Sequence, residues 1–273
     1  MTRYLKVLFV LNFILTAHAG RSQENDLLNI KNTESFARYL FESKQYKFAA
    51  QEFERLIFLD PGNTWYKKDL LVSYRNAGDY IRGLNKYNQF IHDDEGYENI
   101  FLTEYVKLNI LGGFTDSIRS LLQNLDDLNP DKPNIDLTYR LISKNWDGLP
   151  AEDSQLYDRG LVQLSAEIKD IRYKSPFLAG TFSTIIPGTG KIYTGRWKDG
   201  LISFIFVGAT AFQSYRGFNK KGTDSVYGWI LGGISFGFYV GNIYGSVKSA
   251  KIYNTNLQDS YVKRAGDYFI NKY

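Results

Sequence analysis

Residues 33–125 repeat with a period of 34, and no other feature of the chain restricts its fold as tightly. Leu40, Tyr74 and Leu108 occupy one position of the repeat, Lys44, Gly78 and Gly112 the next, and Tyr46, Tyr80 and Phe114 a third. Small residues follow at Ala49, Gly83 and Ser117, and bulky ones at Phe53, Tyr87 and Leu121. The first bulky residue belongs in a helix and the Gly position in the turn that closes it. The small residue belongs in a second helix, where it lets the two approach, and the bulky residue one turn later fills the groove beside it. A unit of this kind leaves an apolar face open, so the units must stack.

Period and residue classes together resemble the tetratricopeptide repeat, which implies an all-α fold with a solenoid of helix pairs. Pro61 stands where that repeat often ends its second helix, with Glu95 and Asn129 in the corresponding places of the next two copies. Pro130 and Pro133 then break the chain. Ile135 to Trp146 reads as a helix, and Leu156, Leu161, Leu164 and Ile168 make the stripe of another over about Glu152 to Tyr173. Residues 20–134 are assigned to the repeats, and 135–174 to a degenerate unit and a connecting helix.

The N-terminus reads as an export signal over residues 1–19: Arg3 and Lys6, an apolar run from Val7 to Leu15, and Ala17-His18-Ala19 as a small-x-small cleavage site. The chain has no cysteine, which removes disulfides, thiolate metal sites, cysteine nucleophiles and a lipidated anchor together.

Charge divides the chain. Residues 21–173 carry 19 Lys and Arg against 25 Asp and Glu, whereas residues 174–273 carry 12 against 4. The basic residues border apolar runs, which suits anionic headgroups and not a nucleic-acid stripe. From Ser175 the composition turns to Gly, Phe, Tyr, Ile and Ser, and a membrane module is expected over 175–254, with 255–273 as a C-terminal tail. Gly200 to Tyr215 and Val226 to Val247 are its candidate spans, and the second is long enough for a hydrocarbon core of about 30 Å. Phe177 to Tyr193, broken by Pro187, Gly188 and Gly190, reads as a third span, a re-entrant arm or an interfacial helix. Three spans leave more of the basic residues on the cytoplasmic side than two, so the charge rule favours three.

Gly233, Gly237, Gly241 and Gly245 recur every fourth residue, with Gly228 and Gly232 at the same spacing offset by one. On a helix they form a bare strip for close helix packing in lipid, with Gly208, Ala209 and Ala211 as the facing small residues. Trp197, Tyr215, Tyr227, Trp229 and Tyr244 read as interfacial aromatics. Glycine alternating with aromatics also occurs in membrane β-strands, but too few strands' worth of sequence is present to close a barrel. The stretch from Ser175-Pro176-Phe177-Leu178-Ala179-Gly180 through Pro187-Gly188-Thr189-Gly190-Lys191, Tyr193, Gly195-Arg196 and Asp199-Gly200 resembles small bacterial membrane modules built as short helix hairpins. Gly241-Asn242-Ile243-Tyr244-Gly245-Ser246 resembles the second half of the same envelope proteins, in which periplasmic repeats precede the module. The resemblance implies a membrane location and no particular activity.

Catalytic constellations are missing from the sequence. Pro187 to Lys191 looks like a phosphate loop, but Ile185 and Ile192 replace its first Gly and its Ser or Thr, so the magnesium ligand is lost. His92-Asp93-Asp94-Glu95 lies between repeats with no second histidine to complete a metal site. No enzyme activity, cofactor, metal or nucleic-acid partner is therefore expected. The expected function is a scaffold in the bacterial inner membrane with periplasmic repeats, outer-membrane association being the other placement. Its repeat surface, through Tyr39, Trp65, Tyr66 and Tyr97, would take a protein or peptide, and Lys191, Arg196 and Lys198 would meet lipid headgroups. The alternative makes the membrane module the active part, as a small channel or an accessory to membrane-protein insertion. The absence of ionisable residues from both candidate spans disfavours transport.

Overall fold

The computed structural model describes residues 29–93, 98–114, 118–125 and 129–273. The expected signal peptide, Tyr97 and Ser117 lie outside the described residues. Among the described residues every regular element is helical, and there is no strand. The chain separates into two compact units that meet in sequence at Lys132 and Pro133.

The first unit contains α1 (Ile30–Glu42), α2 (Tyr46–Leu59), α3 (Thr64–Asn76), α4 (Tyr80–Asp93), α5 (Glu98–Gly112) and α6 (Ile118–Asn124). Each packs on the next, and α3 also packs on α5. Asn29 and Asn63 cap α1 and α3 by accepting from the amides of Asn32 and Trp65. The turns within the helix pairs close alike. Lys44, Gly78 and Gly113 adopt positive φ of 58°, 73° and 76°, and the next amide reaches back to Leu40, Tyr74 and Asn109 respectively. This is the Schellman geometry that satisfies the last helical carbonyls.

The first two turns are 34 residues apart and the third is 35, because Gly113 and not Gly112 takes the left-handed conformation. Everything beyond it shifts by one. Ile118 and Leu122 are the buried residues of α6, where the 34-residue spacing expects Ser117 and Leu121. A branched side chain thus fills the place of Ala49 and Gly83, and α6 runs for only seven residues. Gly83 keeps its expected role, since a Cβ there would stand 2.8 Å from Leu108 and 3.3 Å from Tyr74. The apolar core joins the helices through Ala37, Leu40, Phe53, Leu70, Tyr87 and Phe101. Beside it lies a buried ion network: the Glu104 carboxylate accepts from Arg75 Nε at 2.8 Å and from Lys107 Nζ at 3.1 Å.

The second unit contains α7 (Lys132–Ile142), α8 (Arg159–Lys169), α9 (Pro176–Ile185), α10 (Thr189–Tyr193), α11 (Trp197–Lys221), a 3-10 turn (Gly222–Asp224) and α12 (Val226–Lys272). The helix expected from Glu152 begins instead at Arg159, where the Asp158 carboxylate caps it by accepting from the Gly160 amide.

Two sequence expectations need correction here. Residues 255–273 are no separate tail, because α12 runs without a break for 47 residues. Its far end packs against α7 and α8, with Ala265 in one core with Leu137, Leu141, Leu161 and Leu164. Arg264 bonds Glu167 at 2.6 Å, Lys144 bonds Asp259 at 2.7 Å, and Asp158 accepts from both Tyr268 and Lys272. Burial pushes the Asp158 carboxyl up, but those two donors and the Gly160 amide outweigh it and hold the group below its ordinary value. The second correction concerns Phe177 to Tyr193, which folds as two short helices. The longer, α9, has 10 residues, roughly 15 Å at 1.5 Å per residue, about half a hydrocarbon core. Neither of the two helices is by itself long enough to cross a hydrocarbon core. Among the described residues one helix, α12, is long and apolar enough to cross a bilayer.

Candidate functional site

Helices α11 and α12 form an antiparallel hairpin. Ser214 donates its hydroxyl to the Gly228 carbonyl at 2.7 Å, and Ser235 donates to the Val207 carbonyl at 3.2 Å. The seam repeats every seven residues. Gly200, Val207 and Ser214 are buried on one helix, and Gly228, Ser235, Asn242 and Ser249 on the other. The outer faces are the opposite of polar: Leu201, Ile205, Phe212, Ile230, Ile234 and Phe236 are all exposed. Hydroxyls and an amide are inside, and large apolar chains are outside.

Only part of the expected glycine strip packs. A Cβ on Gly228 would stand 2.9 Å from the Phe218 ring, and one on Gly232 would stand 3.0 Å from Ser214 Oγ. Gly233, Gly237 and Gly241 have nothing within 4 Å, and Gly245 meets only the Lys191 side chain, at 3.3 Å. The facing residues expected on α11, Gly208, Ala209 and Ala211, are likewise exposed. Gly217 does that work instead, with its Cβ position 2.9 Å from the Gly228 backbone. Gly217→Ala is therefore expected to cost about 1–3 kcal/mol by overpacking. Gly233→Ala is expected to be neutral or to stabilise by up to about 1 kcal/mol through helix propensity. Thermal unfolding of the full chain in detergent checks both, and equal effects would reject the assignment of the packing face.

The glycine-rich turn before α11 is explained by close backbone packing. Ser175 caps α9 by accepting from the Leu178 amide, and Pro176 starts the helix. Gly188 has φ +92°, and a Cβ there would overlap the Gly200 carbonyl oxygen; a Cβ on Gly190 would overlap that of Ala179. The Gly190 amide donates to Ser183 Oγ at 2.9 Å, and that hydroxyl lies 2.7 Å from Ser246 Oγ on α12. Thr194 and Ser249 make a second hydroxyl pair at 2.6 Å. The Tyr193 hydroxyl accepts from the Ser175 amide, with the Lys174 ammonium 4.6 Å from the ring centre. Lys174 in turn exchanges two hydrogen bonds with the Asn254 amide. Ser183 was not singled out in the sequence, and Thr194, Ser246 and Ser249 stood there only as members of the membrane-module stretches with no pairing assigned, although the seven-residue spacing of Ser249 with Asn242 and Ser235 was there to be read.

The three basic residues expected at headgroups part company. Lys191 donates to Ser203 Oγ at 2.7 Å, Arg196 pairs with Asp199 at 2.6 Å, and Lys198 lies over the Trp197 ring, 5.7 Å from its centre.

On the repeats, Tyr39 is 59% and Trp65 67% exposed. Tyr39 stacks on Phe36, and Lys68 lies over Trp65. Tyr66 is a core residue and no part of an open surface: it is 5% exposed, and its hydroxyl donates to Glu34 at 3.0 Å. Its neighbour Trp65 points out because adjacent helical positions lie about 100° apart. No protein family, curated protein or solved structure matches this chain.

Proposed function

We propose that the chain is a non-catalytic scaffold of the bacterial envelope. In this reading α1 to α6 form a tetratricopeptide-like solenoid that binds a protein or peptide, and α11 with α12 anchors it in the inner membrane with the repeats in the periplasm. The observation that carries the anchor is the reversed polarity of the hairpin. In water such an apolar exterior would associate, whereas in lipid it is solvated and the small hydroxyl residues of the seam supply packing and hydrogen bonds. Trp197 and Tyr244 flank one end and Tyr215, Tyr227 and Trp229 the other, all exposed. Along α11 the two girdles are about 27 Å apart at 1.5 Å per residue, close to the hydrocarbon thickness.

Two crossings suit the packing of the second unit, one by α12 and the other by α11, which is 25 residues long but less apolar than α12 and would cross only as its packed partner. Helix α8 touches the far end of α12, so the start and the end of the module share a side of the membrane, which requires an even number of spans. With export by the N-terminal signal, the cluster Arg216, Lys220 and Lys221 at the hairpin tip then faces the cytoplasm, while the larger basic set at Lys191, Arg196, Lys198 and Lys248 lies outside, so here the packing of α8 on α12 and not the charge rule decides the number of spans. The tail cations Arg264 and Lys272 are held by Glu167 and Asp158 on the other side.

The three like-built helix turns and the exposed Tyr39 and Trp65 support the binding half of the reading. A photo-crosslinking residue placed at Tyr39 or at Trp65 of the full chain in intact cells is expected to capture one discrete protein. The same residue at Lys47 is expected to capture none. Joint Tyr39→Ala and Trp65→Ala should cut co-purification of that protein roughly ten-fold or more, as loss of aromatic hot spots does. Capture that is indifferent to both aromatics, or no capture, rejects the scaffold, and release of the chain by alkaline carbonate rejects the anchor.

A further inference from the structure

We infer that the groove between α11 and α12 beside Lys191 is a binding site for one anionic glycerophospholipid, a ligand held by the anchor and distinct from the surrounding lipid; the inference rests on the membrane placement proposed above. Two cavities, about 310 and 430 Å³, open next to each other along the groove and share Lys191, Ile202 and Ser203 in their walls. The first is otherwise lined by Phe206, Val207, Gly237, Phe238, Gly241 and Asn242. The second adds Arg196, Asp199, Gly245, Lys248 and Ile252.

Polarity changes along this groove in the order in which it changes along a phospholipid. From the Ser214 and Ser235 hydrogen bonds, Asn242 lies at the level of Gly200 near the start of α11. Gly237 is five residues deeper along α12, roughly 7.5 Å, and Lys248 is six residues toward the aqueous end, roughly 9 Å. The deep part has an apolar wall and a floor of bare backbone, since nothing lies within 4 Å of a Cβ on Gly237 or Gly241. An acyl chain fits there. The mouth carries Lys191, Arg196 and Lys248 against the single acid Asp199, so it holds a net positive charge. A phosphate diester fits there, and a choline cation does not.

Asn242 is the independent sign of a ligand. It is 4% exposed, helps to line the inner cavity, and both its Oδ1 and Nδ2 are buried with no hydrogen-bond partner in the protein. A buried amide left unmet is costly, and the cost grows in a water-poor site. At this depth the ester carbonyls of a glycerophospholipid accept from Nδ2, and its glycerol oxygens lie beside Ser203. A free phosphate ion would satisfy the mouth and leave Asn242 and the apolar wall unused.

The test uses the full chain in detergent, followed by native mass spectrometry during separate additions of dioleoyl phosphatidylglycerol, dioleoyl phosphatidylcholine and inorganic phosphate. One phosphatidylglycerol per chain is expected, bound at least about ten-fold more tightly than phosphatidylcholine and not displaced by millimolar phosphate. Joint Lys191→Ala and Lys248→Ala should weaken it about ten-fold or more. Gly237→Leu, whose side chain enters open space and leaves the helix seam intact, should do the same by filling the chain channel. Lys198→Ala, off the groove, should leave affinity within about two-fold. Equal binding of the two lipids, competition by phosphate, indifference to Gly237→Leu, or a loss with Lys198→Ala as large as with the double variant would each overturn the site. Flotation with phosphatidylglycerol vesicles separates the two levels of failure: a chain that floats but retains no stoichiometric lipid overturns the groove alone, and one that does not float overturns the membrane reading beneath it.

Discussion

Glu104→Ala is expected to destabilise the first unit by about 3–5 kcal/mol, a large share of the roughly 5–15 kcal/mol that holds a domain together. The side chains of Arg75, Glu104 and Lys107 are each no more than 5% exposed, and one carboxylate serves both cations. Removing it takes from both cations the buried carboxylate that they share. Asp131, half in solvent and 3.8 Å from Lys107, offsets only part of this. The network ties α3 to α5, so its loss separates neighbouring helix pairs and not the two helices within a pair. Urea unfolding of the full chain in detergent, read by proteolysis of the first unit, measures the cost. An exposed pair supplies the contrast. Glu34 bonds Arg38 one helical turn away, and that hydrogen bond lowers the Glu34 carboxyl from its ordinary value despite some desolvation. Arg38→Ala should nonetheless cost less than about 1 kcal/mol, because both partners remain solvated without each other. Replacing Arg75, Glu104 and Lys107 together by Met should recover much of what Glu104→Ala loses, since taking one member from a buried ion network costs more than replacing the whole network by apolar side chains. A Glu104→Ala protein as stable as Arg38→Ala would mean that the network holds nothing.

The helical class and the first two helix pairs were legible because each turn repeats the same chemistry: a bulky residue, a left-handed position, a small residue. The third turn was not, since Gly112 and Gly113 both tolerate positive φ and only the backbone hydrogen bond from Phe114 to Asn109 decides between them. The buried Arg75, Glu104 and Lys107 were invisible for another reason. Charged residues on a helix read as a solvated face, and what buries them is a second helix about thirty residues away.

In the hairpin the sequence was misleading where it was most regular. Glycine at every fourth residue reads as a packing strip, yet Gly233, Gly237 and Gly241 stay open while Ser235, Asn242 and Ser249 are buried. Hydropathy identifies the buried face of a helix in water. In the lipid setting proposed for this hairpin both sides of the helix would meet apolar surroundings, and burial would follow hydrogen bonding and small size instead. The end of α12 was read as a tail because its side chains are polar. No proline interrupts residues 248–273, however, and the apolar partners of Ala265 come from α7 and α8, some hundred residues earlier. The groove at Asn242 escaped for the same reason: an isolated amide in an apolar run carries no pattern, and only its lack of a partner marks it.

Gly190→Ala and Gly188→Ala are each expected to cost more than about 3 kcal/mol, above the usual range for adding one methyl group to a packed interior. The added Cβ would collide with backbone, the Ala179 carbonyl in one case and the Gly200 carbonyl in the other, and backbone cannot swing aside as a flexible side chain can. Gly188 adds left-handed strain of about 1–2 kcal/mol at φ +92°. Because the natural chain has no cysteine, the geometry can be read directly. Ser183→Cys with Ser246→Cys, whose hydroxyls now lie 2.7 Å apart, should crosslink α9 to α12 under mild oxidation. Adding Gly190→Ala should abolish that crosslink and lower the melting temperature in detergent. Gly195→Ala, at φ +84° but with nothing near its Cβ position, should keep the crosslink and lose only about 1–2 kcal/mol. A Gly190→Ala chain that crosslinks and melts like its parent would show that α9 and α10 do not meet as closely as their backbones require. The consequence reaches the groove, because Lys191 follows Gly190 directly: once the turn opens, the ammonium leaves Ser203, and anionic lipid binding should fall with the crosslink.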